Sequence, residues 1–205
     1  MIPLELLADV AADLTGYLSH EIGFTVEDKE SSTFMEAVAS GMDLASHVAD
    51  GLATSDAFMT RYATTIGNTV YLPKLIRDNP RSVIEVVPHE GQHSVQYQES
   101  EVKFAWLYLT EAADRAQVET DAYATGLAIR AWFTGRPIDV ADLQWILSSL
   151  VQGYHLRESD KDYARVALLS HVQSIQDGIT MTTSARATVA FLERKYPQLK
   201  GALSA

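Results

Sequence analysis

The chain has 205 residues, of which 47% are apolar and 21% charged, and its formal net charge is −11. This composition predicts one folded globular domain, and the acidic balance argues against a nucleic-acid-binding surface, which needs clustered basic residues. No apolar run approaches the roughly 18 residues of a membrane span, and the lack of cysteine excludes disulfides and thiolate chemistry. Because the N-terminus has no basic region of the secretory type, we expect a cytoplasmic location.

Helical periodicity dominates the first fifty residues. Apolar side chains recur at helical spacing from Leu4 to Leu18 and again from Phe34 to Val48, with Ser32 or Thr33 as the candidate N-cap of the second helix. The intervening stretch GFTVEDKESS is predicted to be a connection. The sequence NTVYLP, residues 68–73, alternates like a strand, and its terminal proline predicts a short strand at the edge of a sheet.

Asn79 and Pro80 supply an N-cap and a first-turn proline for a helix that leads into a histidine pair. Pro88 leaves two alternatives open: one kinked helix, or a helix that begins there after an extended SVIEVV. Further helices are predicted over about 104–133, within DVADLQWILSSLVQGYHLRES and DYARVALLSHVQSIQDGI, and over about 184–195. The predicted fold class is therefore mainly α, with one to three short strands.

The segment VVPHEGQHSVQYQ contains the pattern H-E-x-x-H at residues 89–93. On a helix, His89 and His93 lie one turn apart on the same face, so both imidazoles can reach one zinc ion. Glu90 cannot easily bind the same ion, but it can reach a water held there and act as a general base.

A catalytic zinc site needs a third protein ligand, and no histidine follows at the spacing H-x-x-H-x-x-G-x-x-H. The next helix offers four carboxylates: Glu111, Asp114, Glu119 and Asp121. Glu119 is favoured because its helical stripe is rich in small residues, which allow two helices to approach closely; the stripe comprises Ala112, Ala116, Ala122, Tyr123 and Gly126. Asp121 falls on a more polar face.

These pieces, in this order, resemble the gluzincin zinc metallopeptidases, and in particular small phage or bacterial predicted metallopeptidases with a minimal zincin core. The matching segments are TIGNTVYLP (65–73), HEGQH (89–93) with Gln96 and Tyr97 after it, and ETDAYA (119–124). The resemblance covers residues 60–135 and leaves 1–59 and 138–205 as helical additions to a single domain.

The resemblance implies that His89, His93 and Glu119 bind Zn²⁺ and that Glu90 is the catalytic base. Many gluzincins carry an aspartate four residues after the ligand glutamate, where this chain has Tyr123. In an alternative registration Asp121 is that aspartate, and the ligand position then falls on Gln117. Gln117 is a poor zinc ligand, so this second registration implies a degenerate site. With Glu119 as the ligand, the implied activity is zinc-dependent hydrolysis of a peptide or protein substrate. The acidic composition and the lack of a membrane span argue against a nucleic-acid or membrane partner.

Two other functions remain open from the sequence. One is a degenerate zincin fold that serves as a structural or interaction protein, for example in a virion, and the other is a zinc amidase acting on a non-protein substrate. Among the remaining candidates, Tyr97 is expected either to stabilise an oxyanion or simply to pack. His155 and His171 are expected either to act as electrophilic groups or to be structural.

Overall fold

The structure is a computed structural model that describes residues 2–46, 55–101, 112–154, 158–179 and 182–203. Within these ranges the chain is mainly α-helical with one small sheet, as the sequence predicts. The α-helices are α1 (Leu4–Leu18), α2 (Thr33–Ser46), α3 (Ser55–Arg61), α4 (Lys74–Arg77), α5 (Pro80–Glu99), α6 (Ala112–Thr134), α7 (Val140–Tyr154), α8 (Glu158–Gln176) and α9 (Thr183–Lys195). None of these helices is both long enough and apolar enough to cross a membrane.

The sheet contains three short strands in the order β1-β3-β2: β1 (Thr25–Asp28), β2 (Thr64–Ile66) and β3 (Thr69–Leu72). β1 runs parallel to β3, and β2 runs antiparallel to β3. The turn that joins β2 to β3 contains Gly67, which adopts a φ of 60°. The predicted strand NTVYLP therefore forms, but its predicted edge position is wrong, because β3 is central. Pro73 ends the strand without interrupting its ladder, which explains why the proline does not require an edge.

β1 corrects two predictions about the N-terminal segment. The stretch GFTVEDKESS is not only a connection, since Thr25 to Asp28 pair with Thr69 to Leu72. Residues 1–59 consequently supply a strand to the sheet as well as helices. A four-residue strand with polar ends carries almost no local signal, and its partner lies more than forty positions further along the chain.

The predicted helix boundaries are largely confirmed. Ser32 is the N-cap of α2, since its hydroxyl accepts the Met35 amide at 3.3 Å, and Asn79 caps α5 by accepting the amide of Arg81 at 3.1 Å. α6 ends where expected, before Gly135 with a φ of 61°. Residues 104–111 of the long predicted helix, and His47 and Val48 after α2, lie outside the described residues.

α5 is one continuous helix of 20 residues that contains Pro88, so SVIEVV is helical and not extended. The side that carries Pro88, Gly91 and Gln92 packs against the N-terminus of α9. There the Ser184 hydroxyl donates to the Pro88 carbonyl at 2.6 Å, and the Gln92 side chain accepts the Ser184 amide at 3.1 Å. Gln92 thus satisfies one of the amides that the first turn of α9 leaves without a helical partner.

Two hydrophobic clusters hold the helices together. The first lies between α1, the sheet, α5 and α9 and includes Leu14, Leu18, Val70, Val87 and Leu192. The second lies between α6, α7 and α8 and includes Leu127, Ile146, Leu150 and Leu168. α6 packs against both α5 and α8. α6 therefore belongs to both clusters, with Ile129 and Phe133 in the first and Leu127 in the second.

Gly91 is predicted to be required for the contact between α5 and α9. A Cβ atom at this position would lie 3.1 Å from the Phe24 ring and 3.2 Å from the Ser184 hydroxyl. Overpacking costs about 1–3 kcal/mol, whereas the gain in helix propensity from alanine is only about 0.5–1 kcal/mol. Gly91→Ala should therefore lower the free energy of unfolding by about 1 kcal/mol, measured by urea denaturation followed by circular dichroism.

Gly16→Ala is the matched control, because a Cβ atom at that exposed position of α1 meets nothing within 4 Å. It should raise the free energy of unfolding by about 0.5–1 kcal/mol, the gain in helix propensity without a clash. A Gly91→Ala protein as stable as the Gly16→Ala protein would contradict the close packing described here.

Candidate metal centre

The histidine pair lies on the buried side of α5 that faces α6. His89 and His93 are one helical turn apart, and their ring centroids are 5.0 Å apart with the rings nearly perpendicular. Because the helix continues through Pro88, the relation between the two positions is the regular i to i+4 relation that the sequence predicts.

Glu119 reaches the histidine pair from α6 and is itself only 1% exposed. One carboxylate oxygen lies 3.7 Å from His89 Nε2 and the other lies 3.6 Å from His93 Nε2. The three side chains offer ligand atoms that all lie within 4.8 Å of one another, and they are the one such group found among the described residues. The structure therefore brings together the three residues that the sequence nominates as metal ligands.

Hydrogen bonds orient both rings. His93 Nδ1 lies 3.0 Å from the Gln96 side-chain oxygen, and the Gln96 amide in turn donates to the Val118 carbonyl of α6 at 3.0 Å. With the Nδ1–H donating to this oxygen, Nε2 is the nitrogen that faces Glu119. The His89 ring is hydrogen-bonded to the backbone of Ala122, which, like Val118, belongs to α6. Each histidine is thus held to α6 by a contact separate from Glu119.

The buried carboxylates strongly affect the two imidazoles. Burial alone lowers the pKa of His93, but the adjacent Glu119 carboxylate outweighs it and raises the pKa to about 9. Burial lowers the pKa of His89, and the charge on His93 lowers it further. Without a bound cation, His93 therefore carries a second ring proton and is positively charged beside Glu119, while His89 remains neutral.

Glu90 follows His89 in α5; it is 7% exposed and lines a cavity together with His89. The Thr65 hydroxyl of β2 donates to Glu90 Oε2 at 2.6 Å. The residue before Thr65 is fixed as well, since the buried Lys29 ammonium donates to the Thr64 hydroxyl at 2.6 Å and to the Tyr62 carbonyl at 2.8 Å. Burial lowers the pKa of Lys29 to about 8. The sheet therefore holds one oxygen of the candidate base.

Tyr123 occupies the position where many gluzincins have an aspartate. Its ring meets the His89 ring edge to face at 5.0 Å and the Trp145 ring of α7 at 6.1 Å. Burial raises the pKa of its hydroxyl, and the nearby Glu119 and Glu90 charges raise it further, so the side chain is neutral. Tyr123 thus supports His89 through its ring and lines the same cavity as Glu90.

The alternative registration places Asp121 and Gln117 in the site, and the structure does not bring them to the histidines. Asp121 accepts from Gln117 at 3.0 Å and lies 2.9 Å from His171 Nε2, while Tyr163 donates to Gln117 at 2.7 Å. These contacts join α6 to α8 on the opposite side from α5. His171 is accordingly part of a polar helix–helix contact.

The remaining candidates do not add to the cluster. Tyr97 lies against the β2–β3 turn, with its ring 3.6 Å from where a Cβ of Gly67 would be, so it packs there. Glu111 and His155 lie outside the described residues.

Sequence reasoning gave no role to Gln96 or Thr65. The i+3 spacing from His93 could have indicated Gln96, whereas Thr65 reaches Glu90 only through the tertiary structure.

The donor set fits zinc. Zinc bound by imidazole nitrogen and carboxylate oxygen at about 2.0–2.2 Å in tetrahedral geometry places its ligand atoms roughly 3.3–3.5 Å apart. The observed 3.6 and 3.7 Å separations differ from this by only a few tenths of an ångström. Two imidazoles and one carboxylate leave a fourth position open, as catalytic zinc sites do.

Comparison of the chain with protein-family models, with curated proteins and with solved structures gave no match. The interpretation of the site consequently depends on its geometry and chemistry alone.

Taken together, His89 and His93 should stabilise the metal-free protein most near pH 6.5. His93, whose pKa rises from 6.5 to about 9 on folding, stabilises the fold fully below pH 6.5, and this contribution is lost as the pH rises through 9. His89, whose pKa falls on folding, lowers the stability when the pH drops below its ordinary value of 6.5. Urea denaturation of chelator-treated protein between about pH 5 and pH 10 measures both slopes.

Glu119→Gln removes the charge that raises the pKa of His93. The free energy of unfolding of this variant should therefore decline less between pH 6.5 and pH 9 than that of the wild type. An undiminished decline in that variant would show that other groups cause it.

Proposed function

We propose that the protein is a zinc-dependent metallopeptidase, with His89, His93 and Glu119 as the zinc ligands and Glu90 as the general base. The observation that carries the proposal is the convergence of three ligand atoms within 4.8 Å, with Glu90 beside them on the surface of a cavity. A metal site of this kind without access for a substrate would favour a purely structural role.

Zinc supplies Lewis-acid chemistry, lowering the pKa of a water and polarising a carbonyl group. The residues of the chain supply the proton transfers. Glu90 accepts a proton from the attacking water and passes it to the leaving amine. Because Thr65 donates to Oε2 of Glu90, its other oxygen is the one available for proton transfer. Burial at 7% exposure keeps the carboxylate away from bulk water.

The position of β2 supports a peptide as the substrate. β3 pairs with one edge of β2, and no described strand pairs with its other edge. A free strand edge can bind an extended peptide as an additional strand. We propose this role for β2, whose Thr65 also contacts Glu90. A substrate bound there would lie beside the general base.

Metal content tests the ligand set. Protein purified without added zinc should contain about one zinc ion per chain, and His89→Gln and Glu119→Gln should lose it, because a site with two ligands binds zinc far more weakly. Inductively coupled plasma mass spectrometry after gel filtration measures the ratio.

Asp121→Asn is the matched control, since it changes a carboxylate two residues away on the same helix that contacts His171. It should retain the zinc. Retention of zinc by Glu119→Gln, or loss of zinc from Asp121→Asn alone, would reject Glu119 as the third ligand.

Hydrolysis tests the role of Glu90. Glu90→Gln should retain zinc but lose at least a hundredfold in kcat, because general-base catalysis is worth about 10²–10⁴-fold. Thr65→Val removes the hydrogen bond to Glu90 with little change of shape, and it should lower kcat by a smaller factor while KM is unchanged. The measurement is cleavage of a quenched fluorescent peptide library.

Thr65→Ser is the control, since it keeps the hydroxyl and should keep most of kcat. If the wild type binds zinc but cleaves no peptide, and Glu90→Gln functions identically in the host, the structural or interaction role replaces the peptidase. Cleavage of small non-peptide amides but not of peptides would point instead to an amidase.

A further inference from the structure

A cavity of about 500 Å³ opens beside the candidate metal centre. His89, Glu90 and Tyr123 form the side nearest the centre, and α7 closes the far side. The volume falls in the range of about 300–1,000 Å³ that small-molecule and side-chain binding sites occupy. Any group bound there would lie next to the general base.

The cavity lining is mainly apolar and aromatic. Val86, Leu127 and Ile146 contribute aliphatic surface, and Tyr123 contributes the face of a neutral ring. Two further aromatic side chains of the lining, Tyr62 and Trp145, are 54% and 63% exposed. Exposed rings around a cavity are where an apolar ligand removes most hydrophobic surface from water.

The charged residues of the lining do not favour an anionic ligand. Arg130 forms an ion pair with Asp142, so these two charges compensate each other. Arg61 and Glu85 are exposed to solvent and have opposite signs. An anionic group placed in the cavity would lose hydration and would lie near the buried Glu90 carboxylate, which is unfavourable.

Gly126 accounts for part of the open space. It lies on α6 in the cavity lining, one turn beyond Ala122, and a Cβ atom added there would meet nothing within 4 Å. The sequence grouped Gly126 with the small residues that let α5 and α6 approach, but no such contact occurs at this position. The absence of a side chain leaves room in the cavity instead.

We propose that this cavity is the subsite for a large apolar or aromatic side chain of the peptide substrate, and that Gly126 determines the specificity by keeping it open. The inference rests on the proposed peptidase function and adds a substrate preference to it. Large aliphatic and aromatic side chains bury the most apolar surface there, so they gain the most binding free energy.

The test measures binding separately from catalysis. Zinc-loaded Glu90→Gln protein is titrated by calorimetry with short blocked peptides of serine and alanine that carry one central phenylalanine, leucine, alanine or aspartate. The phenylalanine and leucine peptides should bind roughly tenfold or more tightly than the alanine and aspartate peptides, the discrimination expected from filling an apolar pocket.

Adding Gly126→Leu to this protein fills the space with a side chain and should abolish the preference, while Gly126→Ala should reduce it. Both substitutions replace a glycine inside a helix and therefore increase helix propensity, so loss of folding is not expected. Gly16→Leu is the matched control: it makes the same change at an exposed position of α1 with nothing within 4 Å, and it should keep the preference.

The outcomes separate this inference from the proposed function. Equal binding of all four peptides, or a preference that survives Gly126→Leu, overturns the subsite even if the wild-type protein cleaves peptides. Conversely, if the preference exists and disappears in Gly126→Leu but the wild type cleaves none of the peptides, the cavity assignment stands and the peptidase proposal fails.

Discussion

A buried carboxylate between two imidazoles is the contact on which this structure depends. Glu119 is 1% exposed, and burying its charge is unfavourable unless positive or hydrogen-bonding partners compensate it. His93, which stays protonated beside Glu119, supplies positive charge from the neighbouring helix, and Gln96 ties the same two helices together. The interface of α5 with α6 is therefore polar around Glu119.

The same arrangement explains why a divalent cation suits the site. Without one, a single proton on His93 balances Glu119, while the second carboxylate nearby, Glu90, is held by Thr65. A cation between the three ligands would replace that proton and compensate more of the negative charge. Stability and proposed catalysis thus depend on the same few side chains, so a variant that alters one is expected to alter the other.

The sequence was sufficient for the parts of the site that depend on helical geometry. The i to i+4 spacing of His89 and His93, and the small residues around Glu119, are local patterns that a regular helix turns into positions. The pairing of β1 with β3 and the contact of Thr65 with Glu90 are non-local, so no local pattern predicts them. Pro88, which left the course of this helix open in the sequence, accepts a hydrogen bond from Ser184 of α9, and Gly91 lies close to the same side chain.

The most direct test of the metal centre is a crystal structure of the zinc-loaded protein with anomalous diffraction recorded at the zinc absorption edge. We predict one strong anomalous peak about 2.0–2.2 Å from Nε2 of His89, Nε2 of His93 and a carboxylate oxygen of Glu119. A protein crystallised with zinc that shows no peak among these three residues, or whose peak lies at other side chains, would contradict the account.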